Sequence, residues 1–440
     1  MPSKALVRFF GRRPEMKIRD DGKERAQPFR TSHKKTSSFH GFSREPVCEK
    51  LDGGMWTTRQ GLIRLIVLLG AFPFVGAGCV RESGPQASPL PPGGIYRSDD
   101  GGITFFQKVL LADGGNLSAV RPRHVESARV APDTLYLAAD EGLFRTTSAG
   151  DRWERLAIPA GEVHGVSVHP RNPRILLAAG AAPAPNQRGK IWKSLDAGET
   201  WAEVFTAPTA TVEVGALVRR RREVRAMVTV VAHDARSPEV VYAGTSTGAL
   251  LVSTDGGIHW QTRRSFQQGI TGLKVSPAAG ALLLIRLTDG SLVRSSDGGT
   301  SGDLVRLGRT RDQRERDDPG LLPVGFGEPR DPAHAVLFLK PVEGRTPMLV
   351  GTQSALYRSD DDGDTWTKLK LPSSGTVRTP VVSIAQSPNG TLWAASGSVL
   401  FSSTDDGNTW RALDTPLRAS LRFVVADPVH ANRLYLVFRR

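Results

Sequence analysis

Cysteine is almost absent from this 440-residue chain: only Cys48 and Cys79 are present, so residues 80–440 contain no thiol. Disulfides and thiolate metal sites are therefore excluded from that region. The nine histidines show no spacing typical of metal ligands, and no glycine-rich phosphate loop precedes a helical pattern. The sequence accordingly predicts neither a metal nor a cofactor.

The chain is instead rich in one turn motif, Ser-x-Asp-x-Gly-x-Thr-Trp, here called the box. The box occurs seven times between residues 98 and 410. The complete copies begin at Ser194, Ser359 and Ser403, and the copies at Ser98 and Ser253 differ by one residue. The copy at Thr146 has lost the Asp, and the copy at Ser295 has lost the Trp. The aspartates that remain are Asp100, Asp196, Asp255, Asp297, Asp361 and Asp405. Five of the eight tryptophans end a box, which argues against chance.

The composition of the box suits a tight turn between two strands. Glycine permits a positive φ, the carboxylate accepts hydrogen bonds from turn amides, and the hydroxyls do so more weakly. Short apolar or alternating segments flank the boxes, so each unit is predicted to be four antiparallel strands, A to D, with the box at the C–D corner. Such a unit is one blade of a propeller. The box aspartates are therefore interpreted as structural.

The two ends of the chain complement each other. Only a C strand precedes the first box, whereas residues 421–425 and 433–438 form an A–B pair that no C or D strand follows. We therefore predict an all-β fold over residues 93–440, a seven-bladed β-propeller of four-stranded antiparallel blades. Its C-terminal strands are expected to pair with its N-terminal strands and so close the ring.

The boxes resemble the BNR or Asp-box repeats of sialidases, sortilin-type receptors, xyloglucan-cleaving glycosidases and the photosystem II stability/assembly factor group. The resemblance covers residues 93–440, and a single domain of seven blades is most similar to the assembly-factor group. It implies a non-catalytic scaffold that binds a protein, as those factors do with an arginine patch. The alternative it leaves open is a glycoside hydrolase, sialidase-like or xyloglucanase-like, that acts on polysaccharide.

In a propeller of this kind the B–C turns and D–A links share one face, here called the upper face. The boxes and A–B corners share the other, the lower face. Three insertions fall on the upper face: residues 180–189 in a B–C turn, and residues 206–225 and 303–322 in D–A links. The second insertion carries the arginines predicted to bind a partner: Arg219, Arg220, Arg221, Arg222 and Arg225. Guanidinium groups in a run suit a carboxylate-rich partner or lipid headgroups, and a solvated loop is the open alternative.

A sialidase mechanism is not supported, because it needs a tyrosine nucleophile beside a carboxylate. All five tyrosines fall in repeated B or C strands, where packing accounts for them. A mechanism with two carboxylates stays open, with candidates at Asp140, Glu141, Glu162 and Asp289 on the upper face. Asp-Glu-Gly and Asp-Gly are ordinary hairpin sequences, however. No residue is therefore assigned a catalytic role.

The N-terminal region predicts export. A basic segment and an apolar run precede Gly76-Ala77-Gly78-Cys79, so residues 55–78 resemble the signal peptide of a bacterial lipoprotein, with Cys79 as the acylated residue. An uncleaved signal anchor is the open alternative. Residues 1–54 are expected to be a disordered or mis-assigned extension, and residues 79–92 a flexible linker. The propeller is thus expected to be membrane-anchored and extracytoplasmic, in the periplasm or at the cell surface.

More than half of the net positive charge lies in residues 1–78, outside the predicted propeller. Residues 1–78 carry 15 basic and 7 acidic side chains, which leaves +6 of the total of +14 on residues 79–440. That surface is moderately basic and does not have the charge of a nucleic-acid-binding domain. We expect a monomer with a protein partner whose identity the sequence does not name.

Overall fold

The computed structural model describes residues 93–214, 220–305, 307, 331–372 and 379–438; within 210–214 and 220–224 it describes the backbone alone. The predicted extension, signal segment and linker, with Cys79, lie outside the described residues. The same holds for Arg219 and for most of the insertion at 303–322. Within the described ranges no helix is long and apolar enough to cross a membrane.

Seven four-stranded antiparallel sheets, the blades, account for most of the described strands. Blade 1 contains β1 (Ile95–Ser98) and β2 (Phe106–Gln107), which are joined by two C-terminal strands given below. Blade 2 contains β3 (Pro122–Ser127), β4 (Leu135–Ala139), β5 (Gly142–Thr146) and β6 (Glu154–Leu156). Blade 3 contains β7 (Glu162–Val168), β8 (Leu176–Ala181), β9 (Gly189–Ser194) and β10 (Ala202–Thr206). A separate hairpin follows, formed by β11 (Thr209–Val214) and β12 (Arg220–Arg225).

The remaining blades repeat the same order. Blade 4 contains β13 (Val228–His233), β14 (Val241–Thr245), β15 (Ala249–Ser253) and β16 (Gln261–Ser265). Blade 5 contains β17 (Ile270–Val275), β18 (Leu283–Leu287), β19 (Leu292–Ser295) and β20 (Asp303–Leu304). Blade 6 contains β21 (Ala333–Phe338), β22 (Met348–Thr352), β23 (Leu356–Ser359) and β24 (Thr367–Leu369). Blade 7 contains β25 (Val381–Gln386), β26 (Leu392–Ser396), β27 (Val399–Ser403) and β28 (Arg411–Leu413), after which β29 (Leu421–Ala426) and β30 (Leu434–Phe438) return to blade 1.

Blade 1 closes the ring as the sequence predicts. Strand β30 pairs antiparallel with β1, with Ile95 opposite Val437 and Ser98 opposite Leu434. The sheet order β2-β1-β30-β29 therefore combines both ends of the described chain in one blade. This confirms the predicted seven-bladed, all-β architecture.

The core lies between the blades. Every residue of the B strands β4, β8 and β14 is buried, whereas the D strand β16 is mostly exposed. Because neighbouring blades stack face to face, an inner strand is covered on both sides and an outer strand is not. Leu143 of blade 2, for example, packs in one cluster with Val163 and Leu176 of blade 3. Each such aliphatic side chain contributes roughly 1.5–3 kcal/mol by burial.

A basic residue directly before the box crosses the seam between blades at five of the seven described junctions. It donates a hydrogen bond to a backbone carbonyl in the box of the next blade. The pairs are Arg97 with Ala149, Arg145 with Ala197, Lys193 with Gly256, Arg294 with Asp362, and Arg358 with Asp406. A basic residue at this position is visible in the sequence, but its partner on the neighbouring blade is not.

Candidate functional site

The box aspartates hold the C–D corners together. In the box of blade 3, the Ser194 hydroxyl donates to Asp196 Oδ1 at 2.7 Å, and the Thr200 amide donates to the same oxygen at 2.9 Å. Hydrogen bonds from the Thr200 hydroxyl and amide, and from Ser194, hold the pKa of the Asp196 carboxyl well below its usual range. The equivalent bonds lower the pKa of Asp297 and of Asp405 to about 2. Each carboxylate is thus occupied by its own turn.

The imperfect boxes keep the same bonding with other side chains. Ser148 stands at the Asp position of the second box, and its hydroxyl accepts the Arg152 amide at 3.0 Å. His259 stands at the Thr position of another, and its Nδ1 lies 2.6 Å from Asp255 Oδ2. Substitution in these copies therefore preserves the turn, which supports a structural role.

On the upper face the two described insertions are bonded to each other. The Arg188 Nη2 group, in the B–C turn of blade 3, donates to the Ala207 carbonyl at 2.8 Å. In return, Arg225 Nη1 donates to the Pro185 carbonyl at 2.7 Å, and the Gly189 amide donates to the Ala226 carbonyl at 2.9 Å. The B–C turn and the base of the β11–β12 hairpin therefore form one surface, here called the hairpin platform (residues 182–188 with β11 and β12).

Of the predicted partner-binding arginines, the structure describes Arg225 with its side chain, and Arg220, Arg221 and Arg222 by their backbone alone. Arg220, Arg221 and Arg222 lie on β12, where they pair with Val214, Glu213 and Val212. The sequence pattern does not predict the hairpin itself. Arg225 is exposed, and its bond to Pro185 positions it at the edge of the platform. Partner binding by these arginines stays a prediction.

The candidate carboxylates in the B–C turn of blade 2 form ion pairs with arginines. Arg123 forms an ion pair with Asp140, and Arg121 Nε lies 3.3 Å from both Asp140 Oδ2 and Glu141 Oε1. The Arg121 amide also donates to Glu141 Oε2 at 2.9 Å. Asp140 and Glu141 thus fasten the B–C turn of blade 2 to the start of β3.

Glu162 and Asp289 have local partners as well. Glu162 Oε2 lies 3.2 Å from His164 Nε2 and 3.7 Å from Arg123 Nη2. His164 Nδ1 in turn lies 3.0 Å from the Val228 carbonyl of blade 4. Asp289 accepts the Ser291 amide at 2.9 Å, as expected of a turn residue.

One group of described side chains has the composition of a metal site. Ligand atoms of Asp133, Asp427 and His430 lie within 4.8 Å of one another on the lower face. The guanidinium of Arg433 already stands among them: it pairs with Asp133, lies 3.5 Å from Asp427 Oδ2 and 3.3 Å from His430 Nδ1. The arginine therefore takes the position that a cation would need.

Comparison with known proteins shows the fold and not the activity. The chain matches no protein-family model and no curated protein. Among solved structures it is similar to the GH74 xyloglucanase from Xanthomonas campestris, with 16% identity, a TM-score of 0.53 and coverage of 79% of this chain and 53% of that one. It is also similar to YCF48 from Cyanidioschyzon merolae (16% identity, TM-score 0.48, 72% and 95% covered) and to YCF48 bound to D1 peptide (16%, 0.49, 80% and 99%). The chain spans about half the length of the xyloglucanase, and at this identity the likeness supports a propeller alone.

Proposed function

We propose that the chain is a non-catalytic, membrane-tethered propeller that acts outside the cytoplasm and docks an acidic segment of a protein partner on its hairpin platform. The observation that carries this proposal is the mutual bonding of the two insertions through Arg188 and Arg225. The arginine-rich strand β12 is thereby presented on a fixed base. Docking on a fixed surface loses less conformational entropy than docking on a free loop.

The chemistry of β12 suits an acidic partner. A guanidinium group binds a carboxylate with two parallel hydrogen bonds, and a run of such groups steers an acidic segment at long range. The sequence places Arg220, Arg221 and Arg222 consecutively, with Glu223 as the single acidic residue of the strand. Resemblance to the assembly-factor group agrees with such docking.

The state of the carboxylates supports the non-catalytic part of the proposal. A two-carboxylate glycosidase places one carboxyl group to protonate the leaving oxygen and a second to attack or to activate water. The described candidates Asp140, Glu141 and Glu162 are instead bound to Arg121, Arg123 and His164. If the purified chain releases reducing ends from xyloglucan, and Glu162→Gln abolishes the release, the glycosidase alternative replaces this proposal.

The docking surface can be tested by site-specific photo-crosslinking in cells. A photoreactive residue at exposed Asn186 of the hairpin platform is expected to cross-link a discrete partner, whereas one at exposed Ile103 of the lower face is not. Changing Arg219 to Arg222 together to Ala should abolish the Asn186 cross-link. The matched control removes four exposed cations elsewhere, Arg263, Lys368, Lys370 and Arg411, and should retain it. Equal loss of the cross-link in both variants would show that net charge alone causes the effect, and it would contradict a docking site.

The tether has a test of its own. Cells fed a radiolabelled fatty acid are expected to label the wild-type chain and not the Cys79→Ser variant. Labelling that persists in the variant would exclude Cys79 as the acylated residue. An unlabelled wild-type chain in the membrane fraction would favour the signal anchor instead.

A further inference from the structure

The A strands of all seven blades surround a central channel of about 1090 Å³. This volume is slightly above the usual range for small-molecule sites, roughly 300–1,000 Å³. The charged side chains of its described lining are mostly basic. Two carboxylates, Glu126 and Glu162, face six cations: Arg123, Arg129, Lys274, Arg286, Lys340 and Arg422. A cleft lined by one sign of charge concentrates ions of the other sign.

One of these cations is built into the channel wall. Arg286 belongs to the B strand β18, but its guanidinium crosses the A strand β17 at Gly272, where a Cβ atom would lie only 3.2 Å from Arg286 Nε. The absence of a side chain at Gly272 thus gives the arginine access to the channel. There Arg286 donates to the Thr271 hydroxyl at 3.1 Å, to the Thr271 carbonyl at 3.2 Å and to the His334 carbonyl of blade 6.

These bonds hold Arg286 in place without neutralising it. Its acceptors are carbonyl and hydroxyl oxygens, and no ion pair joins it to a described carboxylate. Burial accordingly lowers the pKa of the Arg286 guanidinium. Three of its five N–H groups are used, so two donors stay available to a ligand.

Lys274 extends the same wall. It lies two residues beyond Gly272 on β17 and therefore on the same side of the strand, about 7 Å further along. Buried Leu273 between them packs into the blade core. Lys274 forms no hydrogen bond or ion pair with a described residue, and its charge acts on His124 and Glu126 of β3.

We propose that the channel binds a small polyanion bearing phosphate or carboxylate groups, with its charges between Arg286 and Lys274. The guanidinium supplies fixed, directional donors, and the lysine supplies a mobile charge that adapts to the ligand. The inference is independent of partner docking on the hairpin platform, because it uses other residues on another surface.

The Glu126 carboxyl group should respond to a bound anion. Burial raises the pKa of this carboxyl, and the charges of Lys274 and Arg129 oppose that rise. The titratable neighbour on the same strand is His124, whose Nε2 lies 3.9 Å from Glu126 Oε2. An anion that engages Lys274 removes part of this support and repels the Glu126 carboxylate. Binding should therefore be accompanied by proton uptake, and replacement of Glu126 by neutral Gln should tighten it.

The test is calorimetric titration of the purified full-length chain with sodium pyrophosphate and, separately, with citrate, at an ionic strength held constant with sodium chloride. Saturable binding of one ion per chain is expected for at least one of the two. The preferred ion distinguishes a phosphate ligand from a carboxylate ligand. Lys274→Gln should weaken binding about tenfold or more, the effect of one charge-assisted hydrogen bond. Glu126→Gln should strengthen it, and Lys368→Gln, on the exposed outer strand β24, should leave it unchanged.

Chemical labelling of lysine amines locates the bound ion without relying on its affinity. The bound ion should protect Lys274, and not Lys368, from acylation as measured by mass spectrometry. Absence of saturable binding of both ions overturns the proposal. So does equal weakening by Lys274→Gln and Lys368→Gln, or binding that Glu126→Gln weakens.

Discussion

The Arg145 Nη1 group donates a hydrogen bond to the Ala197 carbonyl oxygen 2.7 Å away, and so joins the C strand of blade 2 to the box of blade 3. The same guanidinium contacts Glu199 Oε1 at 2.7 Å and Glu154 Oε1 at 2.5 Å. Its side chain is only 12% exposed. The box thus acts twice, as a turn within its own blade and as an acceptor for the blade before it.

Replacement of Arg145 by Met should therefore loosen one seam of the ring. Met keeps the aliphatic volume and removes the donors, so the free energy of unfolding is expected to fall by about 1.5–3 kcal/mol. Urea denaturation measures the change. Arg152→Met is the matched control, because Arg152 is exposed and its bonds to Ser148 are made by its backbone amide and carbonyl, which the substitution keeps. Equal losses in the two variants would contradict a specific role for the seam contact.

Two adjacent box residues should respond to substitution with opposite signs. Ala197 has a φ of 65°, a left-handed conformation that costs a side chain roughly 1–2 kcal/mol. Ala197→Gly should raise the free energy of unfolding by about 0.5–1 kcal/mol after the greater freedom of unfolded glycine is subtracted. Gly198 has a φ of 98°, and a Cβ there would lie 2.7 Å from Leu156 Cδ1.

The second substitution, Gly198→Ala, should lower the free energy of unfolding by about 2 kcal/mol or more, because it adds both strain and a clash. Thermal unfolding of the two variants beside the wild type compares them directly. A loss of stability in Ala197→Gly would show that this left-handed residue is not strained.

The fold was predictable because the box is a local device. Ser, Asp, Gly and Thr at fixed offsets satisfy one turn wherever it occurs, so seven copies imply seven corners, and unequal chain ends imply a shared blade. The hairpin of β11 and β12 was not predictable in this way. Its second strand is a run of arginines without apolar alternation, and the alternating pattern is the main signal of a strand.

The channel site depends on contacts between neighbouring strands, and the sequence does not show which residues make them. Gly272 interrupts an A strand, and such a glycine signals a close approach by another group. Nothing in the sequence identifies that group as Arg286, which lies on the neighbouring strand. Likewise, the carboxylates Asp140 and Glu141 suggest chemistry until the structure shows Arg121 and Arg123 beside them.

Acid should destabilise the propeller through His233. Burial, and then the charges of His169 and Lys193, lower the pKa of this imidazole to about 3. The unfolded chain binds that proton near pH 6.5. Stability is therefore unaffected above pH 6.5 and falls as the pH drops from 6.5 toward 3, by at most about 1.4 kcal/mol per pH unit from this group. Urea midpoints at pH 7.5 and pH 5 measure the fall.

Two histidine variants test whether His233 causes that fall in stability. His233→Gln should be less stable than the wild type at pH 7.5, because it disturbs the Ser167 contact at 2.9 Å, but its midpoint should change less between the two pH values. His259→Gln is the control, since the His259 side chain is 88% exposed and the amide of Gln can still donate a hydrogen bond to Asp255. A pH dependence that His233→Gln leaves intact would assign the effect to another group, such as His124, whose pKa desolvation also lowers.

Removal of Arg433 should turn the cluster of Asp133, Asp427 and His430 into a metal site. The guanidinium pairs with Asp133 and lies 2.7 Å from Asp99 Oδ1, so it fastens the closing blade to blade 2. Arg433→Ser should lower the free energy of unfolding by about 3 kcal/mol, since it leaves carboxylates, buried Asp427 among them, without their cation. Two carboxylates and one imidazole then surround the vacated volume, a ligand set that suits Zn²⁺.

Zinc should accordingly raise the melting temperature of Arg433→Ser and not that of the wild type, because a ligand that binds only the folded state stabilises it. A chelator should reverse the rise. The double variant Arg433→Ser/His430→Ala is the control: it keeps the vacated volume but lacks the imidazole, and it should show no response. Zinc stabilisation of the wild type, or of the double variant to the same degree, would show that the metal binds elsewhere and that Arg433 does not occupy a latent cation site.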